Sequence, residues 1–378
     1  MKQSDIIDLL LKLVSIPSYR GYENGVMEEA KFLWNFFLNH GIESYLHDLG
    51  HNQANIIASI GKGEQVILLV SHLDTVEIQG MTVPAYGKRD KDIIYGRGAC
   101  DMKGGIAAMV SALINLSKEK LKNKIIFLAD AGEEQQSIGA AYFLQSKLSH
   151  YDYVIVGEPT NLKPVITHKG MMWVQVTFKG KTAHASFPER GINAIHGASI
   201  FIQLVVNDLI PKFFKKKDNL LGYPTLNIGE IHGGAGINLV AAECNVNIDR
   251  RYLPEEEEKE VFEELKEIAH KAARKTKTYV TAIEMKETSN PRRIPFRVSA
   301  DHEFIKKICI ILEDMHLTGT PTSVPFWTEA PLFTQNNTIP GIVIGPGDPL
   351  LAHTPNEYVH VEEVIKASEI YRTLCLNL

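Results

Sequence analysis

The sequence predicts an α/β protein of two domains: a doubly wound domain on a mostly parallel sheet, interrupted by an inserted ferredoxin-like α+β sandwich. Three observations carry this. A chain of 378 residues is longer than a single hydrophobic core usually serves. Three apolar runs without alternation, at 66–70, 124–129 and 153–156, read as strands buried on both faces, and the helical stretches between them give the rhythm of a parallel sheet. Near Lys169 the pattern changes. The stretch MMWVQVTFKG at 171–180 alternates and is rich in aromatic and β-branched residues, as a strand with one open face should be.

In the first domain, residues 6–14 form an amphipathic helix that Pro17 closes, and 28–40 form a second that Gly41 stops. Strands at 55–60 and 66–70 follow, joined by Gly61-Lys62-Gly63. After a loop at 80–98 punctuated by glycine and proline, residues 99–117 are expected as one helix with Asp101 at its mouth. Strand 124–129, helix 138–148 and strand 153–156 continue the alternation. The inserted domain is expected at 168–287, with strand 171–180, helix 193–209, strands 226–231 and 243–251, helix 254–274 and strand 278–285. That order is two β-α-β units, the split arrangement of a ferredoxin-like sandwich. A linker at 288–297 holding two prolines returns the chain; helix 300–315, strand 341–344 and helix 361–376 then complete the first domain, which comprises 1–167 and 288–378.

Composition removes several function classes. Forty basic against 45 acidic residues, a net charge of -5, provide no electrostatic case for nucleic acid or an anionic membrane as partner. The one basic run, 215–217, is short and reads as a solvated helix end. Cys100, Cys244, Cys309 and Cys375 are scattered without C-x-x-C spacing, which suits free thiols in a reducing compartment. The first 18 residues mix charges with helically spaced apolar residues rather than forming a signal peptide. No segment is expected to reach transmembrane length, and a cytoplasmic location is expected.

The run VILLVSHLD at 66–74 ends in His72 and Asp74, two residues apart, so on an extended chain both point to one side. Carboxyl ends of strands in open α/β sheets are where ligand sites form. Three further junctions each deliver metal-capable groups: Asp101, Glu133 with Glu134, and Glu158; His353 lies in a loop after the last strand. So many acids at one sheet edge repel one another unless a cation compensates them. Imidazole and carboxylate donors without thiolate suit zinc, cobalt or manganese. Two histidines and three carboxylates exceed what one catalytic ion with an open position needs, and suit two ions sharing a bridging carboxylate.

SHLDTV, YGRGACDMKGG, AGEEQQS, VGEPT and LAHTPNEY, in this order, together resemble the M20 metallopeptidase family. The resemblance spans nearly the whole chain. It implies two divalent ions, zinc first and cobalt or manganese as alternatives, with His72, Asp101, Glu134, Glu158 and His353 as ligands and Asp101 as the bridge. It implies Glu133 as the general base acting on a metal-bridging water, and Asp74 as the acid that orients His72 through its other ring nitrogen. The peptide after Asp101 is expected to be cis. KGKTAHASFPERGINAI at 179–195 resembles the segment that stabilises the oxyanion, which assigns that role to His184, supplied by the partner subunit of a homodimer. GGAGINLVAAECNVNIDRRYLP at 233–254 resembles the substrate anchor and points to Asn238 and Arg251. Alternation puts Arg250 and Arg251 on opposite faces. The inserted domain would thus be a lid and dimerisation domain.

FWTEAPLF at 326–333 and the AHTPNEY ending resemble the acetylornithine deacetylase branch of the family, which implies hydrolysis of an N-acyl amino acid and a place in arginine biosynthesis. Glu329 would then be the acid that reads a basic side chain. Other members of the family are desuccinylases, broad acyl-amino-acid hydrolases, dipeptidases and carboxypeptidases. Beyond these, Cys100 as a nucleophile lacks a histidine partner, and the glycines of 96–105 lack both phosphate-binding spacings, GxxxxGK[ST] and GxGxxG. An inactive metal-binding interaction protein is the non-enzyme alternative, against which the intact Glu133 speaks.

Overall fold

A computed structural model of the chain describes residues 1–19, 21–78 and 80–378. They form two compact units: Met1–Ile166 with Arg297–Ser323 and Thr328–Leu378, and Thr167–Phe296 with Val324–Trp327.

In the first unit the sheet runs in the order Glu43–Gly50, Gln53–Ile60, Lys124–Asp130, Val66–His72, Tyr153–Val156, Gly341–Val343. The last four are mutually parallel and the first two form an antiparallel hairpin at the edge. Every residue of Val66–His72 is buried, which requires cover on both faces and explains its lack of alternation. Helix Gly104–Leu116 packs against Val66–His72 and Lys124–Asp130, together with Gln3–Ser15 and Val361–Asn377; Met27–Asn39 covers the hairpin, where Phe37 meets Phe127 at 5.5 Å between ring centroids.

The strands at 55–60 and 66–70, consecutive in the chain, are separated in the sheet by Lys124–Asp130. Two expectations need correction. Residues 99–117 are not one helix: Asp101 (φ -118°, ψ 97°) and Met102 (φ -130°, ψ 38°) are extended within a wide turn, and the α-helix begins at Gly104. The Asp101–Met102 peptide is cis. Finally, two helical runs, Ala99–Leu116 and Ala194–Phe213, do match a membrane span in length and apolarity. The first is 89% buried within the structure. The second places Ala194, Ala198, Phe201, Leu204, Val205, Leu209 and Phe213 in the core of the second unit.

The second unit is a four-stranded antiparallel sheet in the order Thr225–Gly233, Glu243–Tyr252, Gly170–Lys179, Tyr279–Glu284. Helices Ala194–Leu204 and Glu258–Thr276 cover one face, against which Met172, Val174, Val176 and Phe178 alternate with less buried residues. This is the ferredoxin-like arrangement that the alternating pattern predicts.

The ammonium of Lys103 is buried where the first two helices meet the turn after Gly98. It donates to the carbonyls of Leu13 (3.0 Å) and Ile16 (2.7 Å) and pairs with buried Glu29 at 2.9 Å. Removing one partner of such a pair strands the other charge, at about 3–5 kcal/mol, whereas replacing both by apolar groups is often nearly neutral. Lys103→Met is therefore expected to lower the stability of the metal-free protein by about 3 kcal/mol, and Glu29→Leu/Lys103→Met to recover most of it, as read from urea unfolding.

Candidate metal centre

Four strand ends of the first unit deliver the cluster. His72 closes Val66–His72; Glu133 and Glu134 follow Lys124–Asp130; Glu158 lies two residues past Val156; and His353 follows Gly341–Val343 through a short loop. These strands are sheet neighbours, so their carboxyl ends share one edge. Asp101 reaches the same place from the turn before Gly104.

The carboxylate of Asp101 lies between two imidazoles. Its Oδ1 is 3.1 Å from His72 Nε2, and its Oδ2 is 3.2 Å from His353 Nε2. Glu158 Oε1 stands 3.6 Å from His72 Nε2, and Glu134 Oε1 2.8 Å from His353 Nε2. Ligand atoms of His72, Asp101 and Glu158 therefore lie within 4.8 Å of one another, as do those of Asp101, Glu134 and His353. Asp101 belongs to both groups. A third such group, His72 with Glu133 and Glu134, overlaps them.

His72 Nδ1 bonds the main-chain carbonyl of Asp74 at 2.8 Å. That places a proton on Nδ1 and turns Nε2 toward Asp101 and Glu158, where it donates when the ring is protonated and offers its lone pair when a cation displaces that proton. The Asp74 carboxylate does something other than expected. Its Oδ1 is 3.9 Å from His72 Nδ1, while it accepts the amides of Gly132 (2.8 Å), Glu133 (3.1 Å) and Glu134 (3.1 Å). Asp74 thus orients His72 through its backbone and holds the Glu133 loop through its side chain. The turn into that loop passes through Gly132 at φ +88°, where a Cβ would come within 3.0 Å of Ile138.

Charge in the cluster is balanced by protons. Burial opposes a charge on His72, yet Glu158 and Asp101 lift its pKa well above the imidazole range. The carboxylates of Asp101 and Glu134 push His353 up to about 11. Asp101 is held below the carboxylate range: burial acts against this, but hydrogen bonds from His353 and His72 prevail. Burial and the proximity of Asp101 raise Glu158 to about 7, and burial raises Glu133 well above its usual value, aided by Glu134 and Glu158. Two carboxylates 4 Å apart repel by about 4 kcal/mol at an effective dielectric of 20, so either protons or cations must enter. The donor set of imidazole and carboxylate, without thiolate, fits divalent zinc, cobalt or manganese.

Glu329 is brought beneath this cluster, not into it. It is 2% exposed and faces Asp130 and Ser137; burial raises its carboxyl pKa, and that of Asp130 well above the usual range. Glu329 is as deeply buried as His72 and Asp74, each 2% exposed. Asp130, one of the acids with which this strand ends in the sequence, lies against Glu329 rather than among the ligand groups.

His184, Asn238 and Arg251 belong to the second unit. His184 and Asn238 lie side by side: His184 bridges Leu239, and the Ala185 amide bonds the Asn238 carbonyl at 2.9 Å. The exposed His184 accepts the Ser186 amide on Nδ1 at 3.0 Å, so Nε2 carries the proton and is left as a donor. Alternation separates the two arginines. Arg250 is 1% exposed, pairs with Glu256 at 2.7 Å and stacks 4.2 Å from the Phe213 ring, while Arg251 is partly exposed and pairs with Asp249 at 2.7 and 2.9 Å.

The sequence pattern of peptidase family M20/M25/M40 matches residues 68–377. Acetylornithine deacetylase of Buchnera aphidicola subsp. Schizaphis graminum is 30% identical over 391 aligned residues, covering 100% of this chain and 98% of that protein. The structure of an aminopeptidase from Bacillus cereus superposes with a TM-score of 0.80 at 22% identity, covering 100% of this chain and 99% of that one. A Bacillus subtilis protein described as a dinuclear metal-binding peptidase superposes at 0.73 with 16% identity, over 99% of this chain and 97% of that one.

Both histidines of the cluster have raised pKa values, so in the metal-free protein they hold protons near neutral pH that an incoming cation must displace. Cobalt binding at pH 7.5 is expected to release at least one proton per protein and to weaken as pH falls. Calorimetric titration in buffers of different ionisation enthalpy measures the release. Zero release would mean that the imidazoles are neutral before binding.

Proposed function

This chain belongs to peptidase family M20/M25/M40, and we propose that it works there as a dinuclear amidohydrolase that cleaves the N-acyl bond of an N-acylated amino acid. That it is a metal-dependent hydrolase of amide bonds follows from the family and from full-length relatives. The dinuclear reading is supported by the two oxygens of Asp101, which face separate imidazole and carboxylate groups. On this reading His72 and Glu158 would hold one ion and Glu134 and His353 the other, with Asp101 within reach of both. When bound, such ions would supply Lewis acidity for the amide carbonyl and the attacking water.

The chain's own groups do the rest. Glu133, held by the Asp74 grip on its amide, takes the proton of the attacking water and returns it to the departing nitrogen. His184 donates from Nε2 to the developing oxyanion, supplied by a second copy of the chain. Asn238 and Arg251 hold the carboxylate end of the substrate, for which a guanidinium fork is apt. The homodimer forms through the second unit, whose edge strand Thr225–Gly233 has an exposed outer side. N-acetylornithine is the proposed substrate, supported by the full-length likeness to acetylornithine deacetylases. With it go zinc as the metal, or cobalt or manganese in its place, a cytoplasmic location and a role in arginine biosynthesis.

Glu133→Gln is expected to keep both ions, measured by elemental analysis, and to lose roughly 10²–10⁴-fold in kcat, because proton transfer and not ligation is removed. Loss of both ions would show that Glu133 and Glu134 have exchanged roles.

Substrate class is tested by a hydrolysis screen of N-acetyl, N-succinyl and N-formyl amino acids and of dipeptides, with zinc, cobalt and manganese. N-acetylornithine is expected to lead. A preference for the succinyl compounds or the dipeptides would overturn this reading in favour of a desuccinylase or a peptidase. With Glu329 as the acid that reads the basic side chain, Glu329→Gln is expected to lower the ratio of kcat/KM for N-acetylornithine over N-acetylmethionine; an unchanged ratio would remove Glu329 as the reader.

A further inference from the structure

Two motif residues have no part in the chemistry above, Arg97 of YGRG and Glu357 of PNEY, and they meet beneath the cluster. Glu357 is fully buried. Its Oε1 accepts the main-chain amides of Cys100 at 3.0 Å and of Asp101 at 3.1 Å, while its Oε2 pairs with the guanidinium of Arg97. Arg97 is 6% exposed, and its Nε donates to the Glu77 carbonyl at 3.1 Å. The backbones are joined as well. Tyr358–His360 pairs antiparallel with Ile93–Tyr95, and the Gly96 amide donates to the Glu357 carbonyl at 3.2 Å.

We infer that Glu357 and Arg97 form a positioning clamp that sets where the Asp101 carboxylate stands and keeps it in register with His353. The amides of Cys100 and Asp101 lie in the first turn after Gly98, where main-chain N–H groups have no acceptor within the turn. Glu357 satisfies both with charge-assisted bonds to consecutive amides. It stands four residues beyond His353, so one carboxylate joins the segment bearing the shared ligand to the segment bearing the most exposed one. Arg97 supplies the opposite charge that lets a carboxylate be buried there. Neither residue touches a ligand atom; both act through the backbone of Asp101. This inference rests on the reading of Asp101 and His353 as ligands.

The test is titration of the metal-free protein with cobalt chloride, following cobalt absorption, for wild type, Glu357→Gln, Glu357→Ala and a core control, Phe37→Leu, which lowers stability without touching the clamp. A glutamine can satisfy the two amides or face Arg97 correctly, but not both, so it is the variant to rely on if the alanine protein does not fold. The clamp predicts about 10–100-fold weaker binding of at least one cobalt ion in the Glu357 variants, with wild-type affinity in Phe37→Leu. Affinities within threefold of wild type in the Glu357 variants, or an equal loss in Phe37→Leu, would overturn the clamp alone. Failure of the wild-type protein to bind cobalt would overturn the metal centre and the clamp together.

Discussion

One carboxylate shared between two imidazoles is the constraint on which the rest of the first unit depends. Asp101 offers Oδ1 to His72 and Oδ2 to His353, and every other acid of the cluster is placed by reference to that pair. A negative group so deep in the protein is tolerable only with positive charge on both sides. The two imidazoles, both with pKa values raised by the neighbouring carboxylates, are the groups that can carry it.

The surrounding structure reads as a set of devices for holding that geometry. Parallel strands bring the His72, Glu133 and Glu158 segments to one edge. The Asp74 carboxylate binds three successive amides of the Glu133 loop while its carbonyl fixes the ring of His72. Lys103 ties the start of the helix after Asp101 to the first two helices. Each device uses a buried charged group bonded to backbone, because such bonds are strong and directional where water is excluded.

Much of this was legible in advance. Uninterrupted apolar runs revealed the buried strands, alternation revealed the open-faced sheet of the second unit, and polar residues at strand ends marked His72, Asp101, Glu133, Glu134, Glu158 and His353. The hairpin strand Glu43–Gly50 was missed because its residues are only partly buried and show no clean period. The break at Asp101 was missed because the long apolar run after it reads as one helix, which outweighed the poor helix formers Asp101, Gly104 and Gly105.

The sequence alone determined which elements form and which residue types arrive at the sheet edge, since both are written in local periodicity and in the polarity of strand ends. Only the tertiary structure decided the strand order, which inserts Lys124–Asp130 beside Val66–His72, and the burial of Glu329 against Asp130. It also decided that the Asp74 side chain serves the Glu133 loop and that Glu357 reaches Asp101 from 256 residues away. The reason is physical: hydrogen bonds and charge pairs between distant segments depend on distances that the whole fold sets, and no local pattern in the chain encodes them.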